Sequence, residues 1–332
     1  MTERPQPILE VRDLRVRFAT SRGEVRAVDG VNLALAPGDT LGLVGESGSG
    51  KSVTLRAILR LLRSNATTTG EARWRGQDLL AMPEKRLRAL RGREIAMIFQ
   101  EPMSALNPVI PIGVQIAESL QAHTALDAAG RRRRAIELLD LVGIPSAAQR
   151  LAGYPHEFSG GMRQRAMIAI ALAAEPKLLL ADEPTTALDV TIQDQILKLL
   201  LRLSRELGMA MVLVTHDLGV VAETCERVSV MYAGRVVETG PVDRVFTAPG
   251  HAYTDALLRS MPHGGVARAP LRPIPGLPPR LDRPLQGCPF TPRCAYAEGR
   301  CGAEAPPFAP VAPGQEAACW ASDRLARREV PA

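Results

Sequence analysis

The eight consecutive residues 45–52 carry the clearest chemical pattern in the sequence. Glycines in this segment let the backbone curl so that successive N–H groups face an anion, and its lysine reaches the outer phosphates of a nucleotide. Its last serine supplies a hydroxyl oxygen, which is a ligand suited to Mg²⁺. We therefore predict that the segment binds a nucleoside triphosphate, ATP, with Mg²⁺. The predicted contacts run through the segment and one residue beyond it: Gly45, Glu46, Ser47, Gly48, Ser49, Gly50, Lys51, Ser52 and Val53.

The sequence on either side places this segment where a phosphate-binding loop must lie. Residues 40–44 form a short apolar run that predicts a strand, and apolar residues at helical spacing over 51–62 predict a helix. A strand, a glycine-rich loop and a helix in this order match the phosphate-loop pattern. A chance glycine-rich turn would not require these neighbours, so we favour phosphate binding.

Two carboxylates follow a second apolar run. Residues 178–181 predict a buried strand that ends at Asp182 and Glu183, which places both acids at the carboxyl edge of a sheet. An acidic pair after a strand is also common as a helix cap, but the phosphate loop upstream favours a catalytic role. We predict that Asp182 holds Mg²⁺ through its hydration shell and that Glu183 is the general base that polarises the attacking water.

A third motif, residues 158–165, narrows the function. It places Ser159, Gly160 and Gly161 at a predicted helix start, where a hydroxyl and N–H donors face an anion; the same triplet also serves as an ordinary helix cap. The segment resembles the signature motif of the ATP-binding-cassette family, with Phe158 and Met162 in place of the family's leucine and glutamine. The resemblance implies that this loop meets the γ-phosphate of ATP held by a partner subunit, so that the working unit is a dimer.

Three further residues match motifs of the family in their usual order along the chain. The resemblance implies that Gln100 ligates Mg²⁺, senses the γ-phosphate and links the site to a transmembrane partner. It also implies that Asp189 bridges the dimer and that His216 contacts the γ-phosphate. A lone histidine after a strand is more often a structural residue, so the assignment depends on the order and spacing of the motifs together. Glu183, His216 and Gln100 are the predicted catalytic residues.

The remaining pattern predicts an α/β fold with a phosphate-loop ATPase core. Apolar runs that alternate with helices predict a parallel sheet, preceded by a small antiparallel N-terminal sheet. Residues from about 103 to 160 predict an inserted helical subdomain. The cassette is expected to span residues 1–262, and residues 263–332 are expected to form a proline-rich linker and a small cysteine-bearing domain. The predicted strands of the N-terminal sheet are 8–11, 14–18 and 31–35, with a turn at Asp29-Gly30 before the last.

Three segments indicate a branch of the family. Residues 45–49, residues 100–108 and the pair Arg293-Cys294 within 288–294 resemble the dipeptide and oligopeptide importer ATPases, a branch that includes nickel and glutathione importers. The resemblance implies import of di- or oligopeptides by a heterodimer of two homologous ATPase subunits. It also implies two transmembrane permease subunits and an extracytoplasmic substrate-binding protein. The alternative is a soluble cassette ATPase of DNA repair or chromosome organisation, which would carry a long heptad-patterned insertion that this sequence does not have.

Charge and composition argue against other kinds of partner. The net charge of +6 includes the run Arg131 to Arg134, which apolar residues at helical spacing assign to the solvated face of a helix over 131–141. Aromatic residues are only 4% of the chain and do not interleave with the basic ones, so we expect no nucleic-acid partner. No apolar run approaches the roughly 20 residues of a membrane span, and residues 1–6 lack a secretory-signal pattern. With the importer resemblance, we expect a peripheral location on the cytoplasmic face of the cell membrane.

Four of the five cysteines fall in the C-terminal segment, which is too short to bury a core of its own. Four thiolates suit either Zn²⁺ or an iron–sulfur cluster, and a reduced, unligated set is the third possibility. Their separations of five, six and seventeen residues differ from the close pairs of structural zinc sites, and the importer resemblance favours one [4Fe-4S] cluster over zinc. No motif links this segment to the nucleotide site, so we predict a structural or peripheral role for it, with a redox signal as the alternative. The predicted ligands are Cys288, Cys294, Cys301 and Cys319, whereas Cys225 is predicted to be a small core residue.

Overall fold

Two compact units make up the chain. Unit 1 contains residues 1–7, 35–40 and 81–214, and unit 2 contains residues 8–34, 41–80 and 215–332. The computed structural model describes residues 6–21, 23–101, 105–186, 188–261 and 273–327. The predicted boundary between residues 262 and 263 lies outside the described residues.

The described elements alternate between strands and helices for most of the chain. In chain order the strands are β1 Leu9–Thr20, β2 Gly23–Leu35, β3 Thr40–Val44, β4 Ala66–Trp74, β5 Gln77–Asp78, β6 Ile95–Ile98, β7 Leu178–Asp182, β8 Ala210–Thr215, β9 Arg227–Tyr232, β10 Arg235–Pro241, β11 Ala309–Ala312 and β12 Gln315–Ala317. The helices are α1 Lys51–Ile58, α2 Glu84–Leu90, α3 Ile112–His123, α4 Ala128–Leu141, α5 Ala147–Arg150, α6 Gly160–Leu172, α7 Val190–Glu206, α8 Leu218–Thr224, α9 Val242–Thr247, α10 Ala252–Arg259, α11 Gly299–Ala303 and α12 Ser322–Ala326. None of these helices is long and apolar enough to span a membrane.

The N-terminal antiparallel sheet belongs to unit 2 and has the order β2-β1-β4-β5. The two strands predicted at 8–11 and 14–18 are one strand, β1, with a bulge between Arg12 and Arg15. The predicted turn at Asp29-Gly30 is wrong, because both residues lie inside β2. Gly30 has a φ of 82° there, and Asp29 accepts hydrogen bonds from Arg15 and Arg235. An Asp-Gly pair fits a left-handed residue inside a strand as well as it fits a turn, because glycine adopts the left-handed backbone at no steric cost.

A second group of strands in unit 2 carries the C-terminal segment. β3 pairs in parallel with β9, β9 pairs antiparallel with β10, and β12 then pairs with β10 and with β11. The buried Glu238 carboxylate on β10 fixes this arrangement, because it accepts hydrogen bonds from the backbone of Gly250 and His251 and from the side chain of Gln315 at 2.7, 3.0 and 2.8 Å. Three donors compensate for burying the carboxylate. The C-terminal segment therefore continues the sheet to which β3 belongs.

Unit 1 contains three parallel strands covered by helices. β7 pairs in parallel with both β6 and β8, and its residues are fully buried. The helices α3, α4, α6 and α7 contribute apolar residues such as Leu120, Leu138 and Leu200 to one core with β6 and β7. The basic run on α4 exposes Arg132 and Arg133 to solvent, as predicted. The predicted α/β class, with parallel strands, a small antiparallel sheet and inserted helices, is confirmed.

Candidate nucleotide-binding site

The glycine-rich loop between β3 and α1 follows a path that only glycine permits at two positions. Gly45 has a φ of 149° and Gly50 a φ of 105°. A Cβ atom at Gly45 would overlap the carbonyl oxygen of Met231, and one at Gly50 would lie 2.5 Å from the carbonyl oxygen of Ala27. The loop therefore packs directly against the backbone of Ala27 and Met231, which belong to unit 2 as the loop does. This close approach turns the loop around the beginning of α1, where backbone N–H groups attract anions.

Lys51, the first residue of α1, occupies the inside of the loop. Its side chain is buried, and Nζ donates hydrogen bonds to the carbonyl oxygens of Gly45 and Glu46 at 2.8 and 3.0 Å. These contacts hold the ammonium group at the helix N-terminus, where its charge adds to the positive end of the helix dipole. Ser52 and Val53 follow in the first turn and are partly buried. The loop thus presents a fixed positive centre that suits phosphate.

Glu46 makes contacts that the sequence analysis did not predict. Its backbone N–H donates to the hydroxyl of Tyr253 at 2.8 Å, and its carboxylate accepts two hydrogen bonds from Arg293 at 2.7 and 2.9 Å. Arg293 lies beside Cys294 in the C-terminal segment, so this segment contacts the phosphate loop although no sequence motif links the two. The partners are 247 residues apart in the chain, and no local sequence pattern predicts such a pair.

The predicted hydrolytic residues of unit 1 lie together at the end of β7. Asp182 is fully buried as the last residue of the strand, and Glu183 follows with a φ of 45°. This left-handed backbone costs about 1–3 kcal/mol in a residue with a side chain and is typical of functional sites. The Glu183 Oε2 atom accepts hydrogen bonds from Gln100 Nε2 at 3.0 Å and from Thr186 Oγ1 at 2.8 Å. Gln100 and Glu183 are therefore brought together as neighbours, and the carboxylate of Glu183 is held in one orientation.

The signature residues lie at the start of α6. Ser159 and Gly160 are exposed, and Ser159 Oγ accepts a hydrogen bond from the N–H of Met162 at 3.3 Å, which makes Ser159 the N-cap of the helix. A Cβ atom at Gly161 would lie 2.8 Å from Ile192 on α7. The sequence left two interpretations of Ser159 open, an ordinary helix cap and an exposed donor to an anion. The structure is compatible with both, because Ser159 caps the helix and is exposed.

Asp189 and His216 have simpler surroundings. Asp189 is exposed and caps α7, because its Oδ1 atom accepts the N–H of Ile192 at 3.0 Å. This capping role adds to the dimer contact predicted for Asp189. His216 is exposed and follows β8 directly in unit 2, and the next residue, Asp217, caps α8. Ala187 of the aspartate loop and residues 102–104 of the branch motif lie outside the described residues.

Comparisons with known proteins agree with this geometry. The family model for the "ABC transporter" matches residues 28–186, and the model for the "Oligopeptide/dipeptide transporter, C-terminal region" matches residues 237–301. The oligopeptide transport ATP-binding protein OppD of Salmonella typhimurium is 50% identical over 322 residues, which are 96% of each chain. The chain belongs to the ATP-binding-cassette transporter family. It falls in the oligopeptide and dipeptide branch, as its motifs predict.

Two further relatives extend this result. A Brucella abortus protein, named for peptide import and ATP binding, is 53% identical over 296 residues, 89% of each chain. The dimeric structure of the bacterial ABC transporter cassette MJ0796 has a TM-score of 0.64 at 30% identity and covers 70% of this chain and 98% of that one. The predicted ATPase class of the cassette is confirmed by this membership.

The four C-terminal cysteines of the cassette line one small cavity of about 20 Å³, together with His251 and Phe290. Burial raises the pKa of the Cys288 and Cys319 thiols and raises that of Cys294 to about 12. All four are free thiols. A cavity of this size holds about one water molecule, and among the described residues no group of three or more cysteine, histidine or acidic side chains is arranged to hold a metal ion. The thiols thus converge without adopting ligand geometry. The fifth cysteine, Cys225, is buried as predicted.

Replacement of Glu183 by glutamine in this cassette is expected to leave Mg-ATP binding intact and to lower steady-state turnover about 10²- to 10⁴-fold. The amide keeps the hydrogen bonds from Gln100 and Thr186 possible but does not accept a proton from water. Equilibrium ATP binding and phosphate release measure the two effects separately. Glu206→Gln, an exposed change on α7, is the matched control. Substantial hydrolysis by Glu183→Gln would remove Glu183 from the role of general base.

Proposed function

We propose that this chain is the ATP-hydrolysing subunit of an importer that takes up di- and oligopeptides across the cytoplasmic membrane. The observation that carries the proposal is the match to OppD over 96% of both chains, which includes the C-terminal segment as well as the nucleotide motifs. A cassette ATPase of DNA repair or chromosome organisation would share the motifs of the nucleotide site alone. The C-terminal match therefore favours transport.

The nucleotide chemistry is assigned to the residues of the predicted motifs. The phosphate loop with Lys51 binds the β- and γ-phosphates, and Glu183 accepts the proton of the attacking water. Gln100 donates to the same carboxylate oxygen of Glu183 as Thr186 does, so it orients the base. His216 is assigned to the γ-phosphate by its place after β8, and Asp189 to the dimer contact by its exposure at the start of α7.

Magnesium is the cation that this donor set fits. Carboxylate, amide and hydroxyl oxygens are the hard ligands that Mg²⁺ prefers. Because the Gln100 amide nitrogen donates to Glu183, the oxygen of the same amide is the atom that would ligate the metal. Asp182 and Ser52 complete the proposed set. The metal, when bound, supplies charge neutralisation for the phosphates.

A permease partner is supported by the surface of the helical part of unit 1. An open groove of about 630 Å³ lies between α3 and α4; apolar residues such as Val114, Ala117 and Leu151 line it together with the charged Glu118, Arg131 and Arg132. Val114 is 46% exposed at this groove. An apolar groove between helices suits an amphipathic helix of a partner. We assign it to one of two transmembrane permease subunits, which would hold the chain at the cytoplasmic face of the membrane and receive peptide from an extracytoplasmic binding protein.

The importer assignment is tested by peptide uptake. In cells that lack the native copy of this chain, we expect the wild-type chain to restore uptake of labelled di- or oligopeptides and Lys51→Ala to abolish it, because loss of the ammonium group removes phosphate binding. Lys198→Ala, which alters an exposed lysine on α7, should restore uptake fully. Peptide uptake that is indifferent to Lys51 would overturn the assignment, and the same uptake assay with nickel or glutathione separates the substrates of this branch.

We infer that the partner subunit of a heterodimer completes each ATP site, and the exposure of Ser159 supports its action across such an interface. In a complex of a Ser159→Arg chain with a wild-type partner, we expect hydrolysis at the partner's phosphate loop to fall about 10²-fold, because a donor to the transition-state charge is lost. Ser146→Arg, at an exposed serine of the same unit, should leave the rate unchanged. Single-turnover hydrolysis with the chain's own site disabled isolates the partner's site. An unchanged rate there would contradict action across the interface.

We assign one [4Fe-4S] cluster to Cys288, Cys294, Cys301 and Cys319, with zinc as the second candidate. Convergence of the four thiols on one cavity supports the proposal. His251 lines the same cavity; its Nδ1 accepts the N–H of Tyr253, and its buried Nε2 has no hydrogen-bond partner among the described residues. Nε2 therefore carries the ring proton, and an N–H donor is a group that stabilises cluster sulfur. The small cavity requires the cysteine side chains to move apart on binding.

Metal analysis after anaerobic purification tests this assignment. We expect about four iron and four sulfide per chain with visible charge-transfer absorption, and loss of both in Cys294→Ser. Cys225→Ser, at the buried core cysteine, should retain the iron and sulfide. Stoichiometric zinc without sulfide would replace the cluster by a zinc site. Absence of both metals would contradict a metal centre altogether.

A further inference from the structure

Two segments that mark the branch meet in the structure. Glu46 belongs to the phosphate loop, and Arg293 precedes Cys294 in the C-terminal segment. The Nη1 and Nη2 atoms of Arg293 donate to the two carboxylate oxygens of Glu46 at 2.7 and 2.9 Å. A guanidinium group and a carboxylate in this two-bond arrangement form the strongest and most directional kind of ion pair in proteins.

The site around Arg293 is built to hold the guanidinium group in one place. Its side chain is only 4% exposed. Besides the two bonds to Glu46, Nε donates to the carbonyl oxygen of Pro275 at 2.9 Å, and Nη1 donates to the hydroxyl of Tyr232 at 3.2 Å. A lysine has neither the planar fork nor the number of fixed donors for this set of acceptors. The pair therefore differs from exposed ion pairs such as that of Arg12 with Glu10.

The same residues connect the phosphate loop with the cysteine cavity. The rings of Tyr232, Tyr253 and Phe290 contact one another with centroids 4.5 to 5.3 Å apart. Tyr253 accepts the backbone N–H of Glu46, and Phe290 lines the cavity of the four cysteines. Glu46 is thus held from the C-terminal side through both its backbone and its side chain. A displacement of residues 288–294 is therefore expected to shift the start of the phosphate loop, because packed interiors transmit strain.

The negative charge of Glu46 is unfavourable beside a bound triphosphate, and Arg293 offsets it. A carboxylate in a loop that binds a triphosphate repels the ligand, and at partly buried sites this repulsion is weakly screened. Pairing with the buried guanidinium of Arg293 offsets the charge of the carboxylate. The loop then presents the charge of Lys51 to the phosphates without opposition.

We propose that Arg293 is a positioning residue for the phosphate loop, through which the cysteine-bearing C-terminal segment sets the affinity of the loop for Mg-ATP. The inference rests on the proposed function in one respect, namely that this loop binds ATP. It adds a route by which the state of the C-terminal segment acts on the nucleotide site. By reciprocity, nucleotide binding acts on the C-terminal segment to the same extent.

Substitution of Arg293 tests the proposal in the full-length chain. Arg293→Gln is expected to raise the Kd for Mg-ATP about tenfold, since charge-assisted hydrogen bonds of this kind contribute about a factor of ten or more. The matched control is Arg324→Gln, which breaks the pair of Arg324 with Glu298 in the same segment and should leave the Kd unchanged. Equal affinity of wild type and Arg293→Gln would overturn the proposal.

A double-mutant cycle separates neutralisation of Glu46 from a general effect on folding. In a Glu46→Gln background, Arg293→Gln should change the Kd much less than in the wild type, because the two residues act as a unit. Arg293→Lys should recover part of the affinity. In the assembled complex the loss should appear in KM for ATP with kcat largely retained, because the catalytic residues of unit 1 are untouched. Equal effects of Arg293→Gln in both backgrounds, or a loss confined to kcat, would contradict a positioning role.

Amide hydrogen exchange supplies a readout that does not depend on turnover. Mg-ATP should slow exchange of residues 287–296 in the wild type, and this slowing should be lost in Arg293→Gln; unchanged exchange in the wild type would contradict the coupling. Lys51→Ala keeps the two hypotheses apart, because its loss of ATP binding upholds the proposed function whatever Arg293 does. If Arg293→Gln does not fold by circular dichroism, Arg293→Lys compared with Arg324→Lys carries the same test.

Discussion

The hydrogen bonds of Lys51 to two carbonyl oxygens of its own loop determine how the loop packs against the rest of unit 2. An ammonium group can be kept buried only if nearby oxygens replace its water, and Gly45 and Glu46 supply them. To bring those carbonyls inward the loop must approach neighbouring backbone more closely than a side chain allows. The carbonyl groups of Ala27 on β2 and Met231 on β9 form the surface against which the loop turns. The position of β2 in the N-terminal sheet and the positions of β3 and β9 in the second sheet therefore determine the path of the loop.

The predicted hydrolytic residues obey a different constraint. Asp182 is buried and Glu183 is partly exposed, although they are adjacent, because the strand ends between them and the backbone turns into a left-handed conformation. The buried strand β7 and the helical core around it stabilise this turn. Strain of this kind persists only where the surroundings determine the conformation. Gln100 and Thr186 then hold the Glu183 carboxylate from two directions, which leaves its side chain little freedom to rotate.

The C-terminal segment extends the cassette, and does not simply follow it in the chain. β12 pairs with β10, and Glu238 joins β10 to residues 250–251 and to Gln315 through buried hydrogen bonds. Arg293 reaches the phosphate loop itself. A segment of this length cannot bury a sufficient core alone, so its stability comes from the sheet and from the ion pair with Glu46. Its connection to the nucleotide site follows from the way in which it is stabilised.

The sequence by itself determined the nucleotide motifs, the family and the α/β class, because these depend on residue types at fixed short spacings. The loop from Gly45 to Ser52 and the strand that ends at Asp182 could be predicted in this way. Only the tertiary structure decided which distant residues meet: Gln100 with Glu183, and Glu46 with Arg293. It also decided that Asp29-Gly30 lies inside a strand, since the arginines that hold Asp29 come from β1 and β10. Such contacts join residues separated by tens to hundreds of positions, and no local periodicity records them. The physical reason is that an ion pair or a hydrogen bond depends on distance in space, whereas a motif depends on distance along the chain.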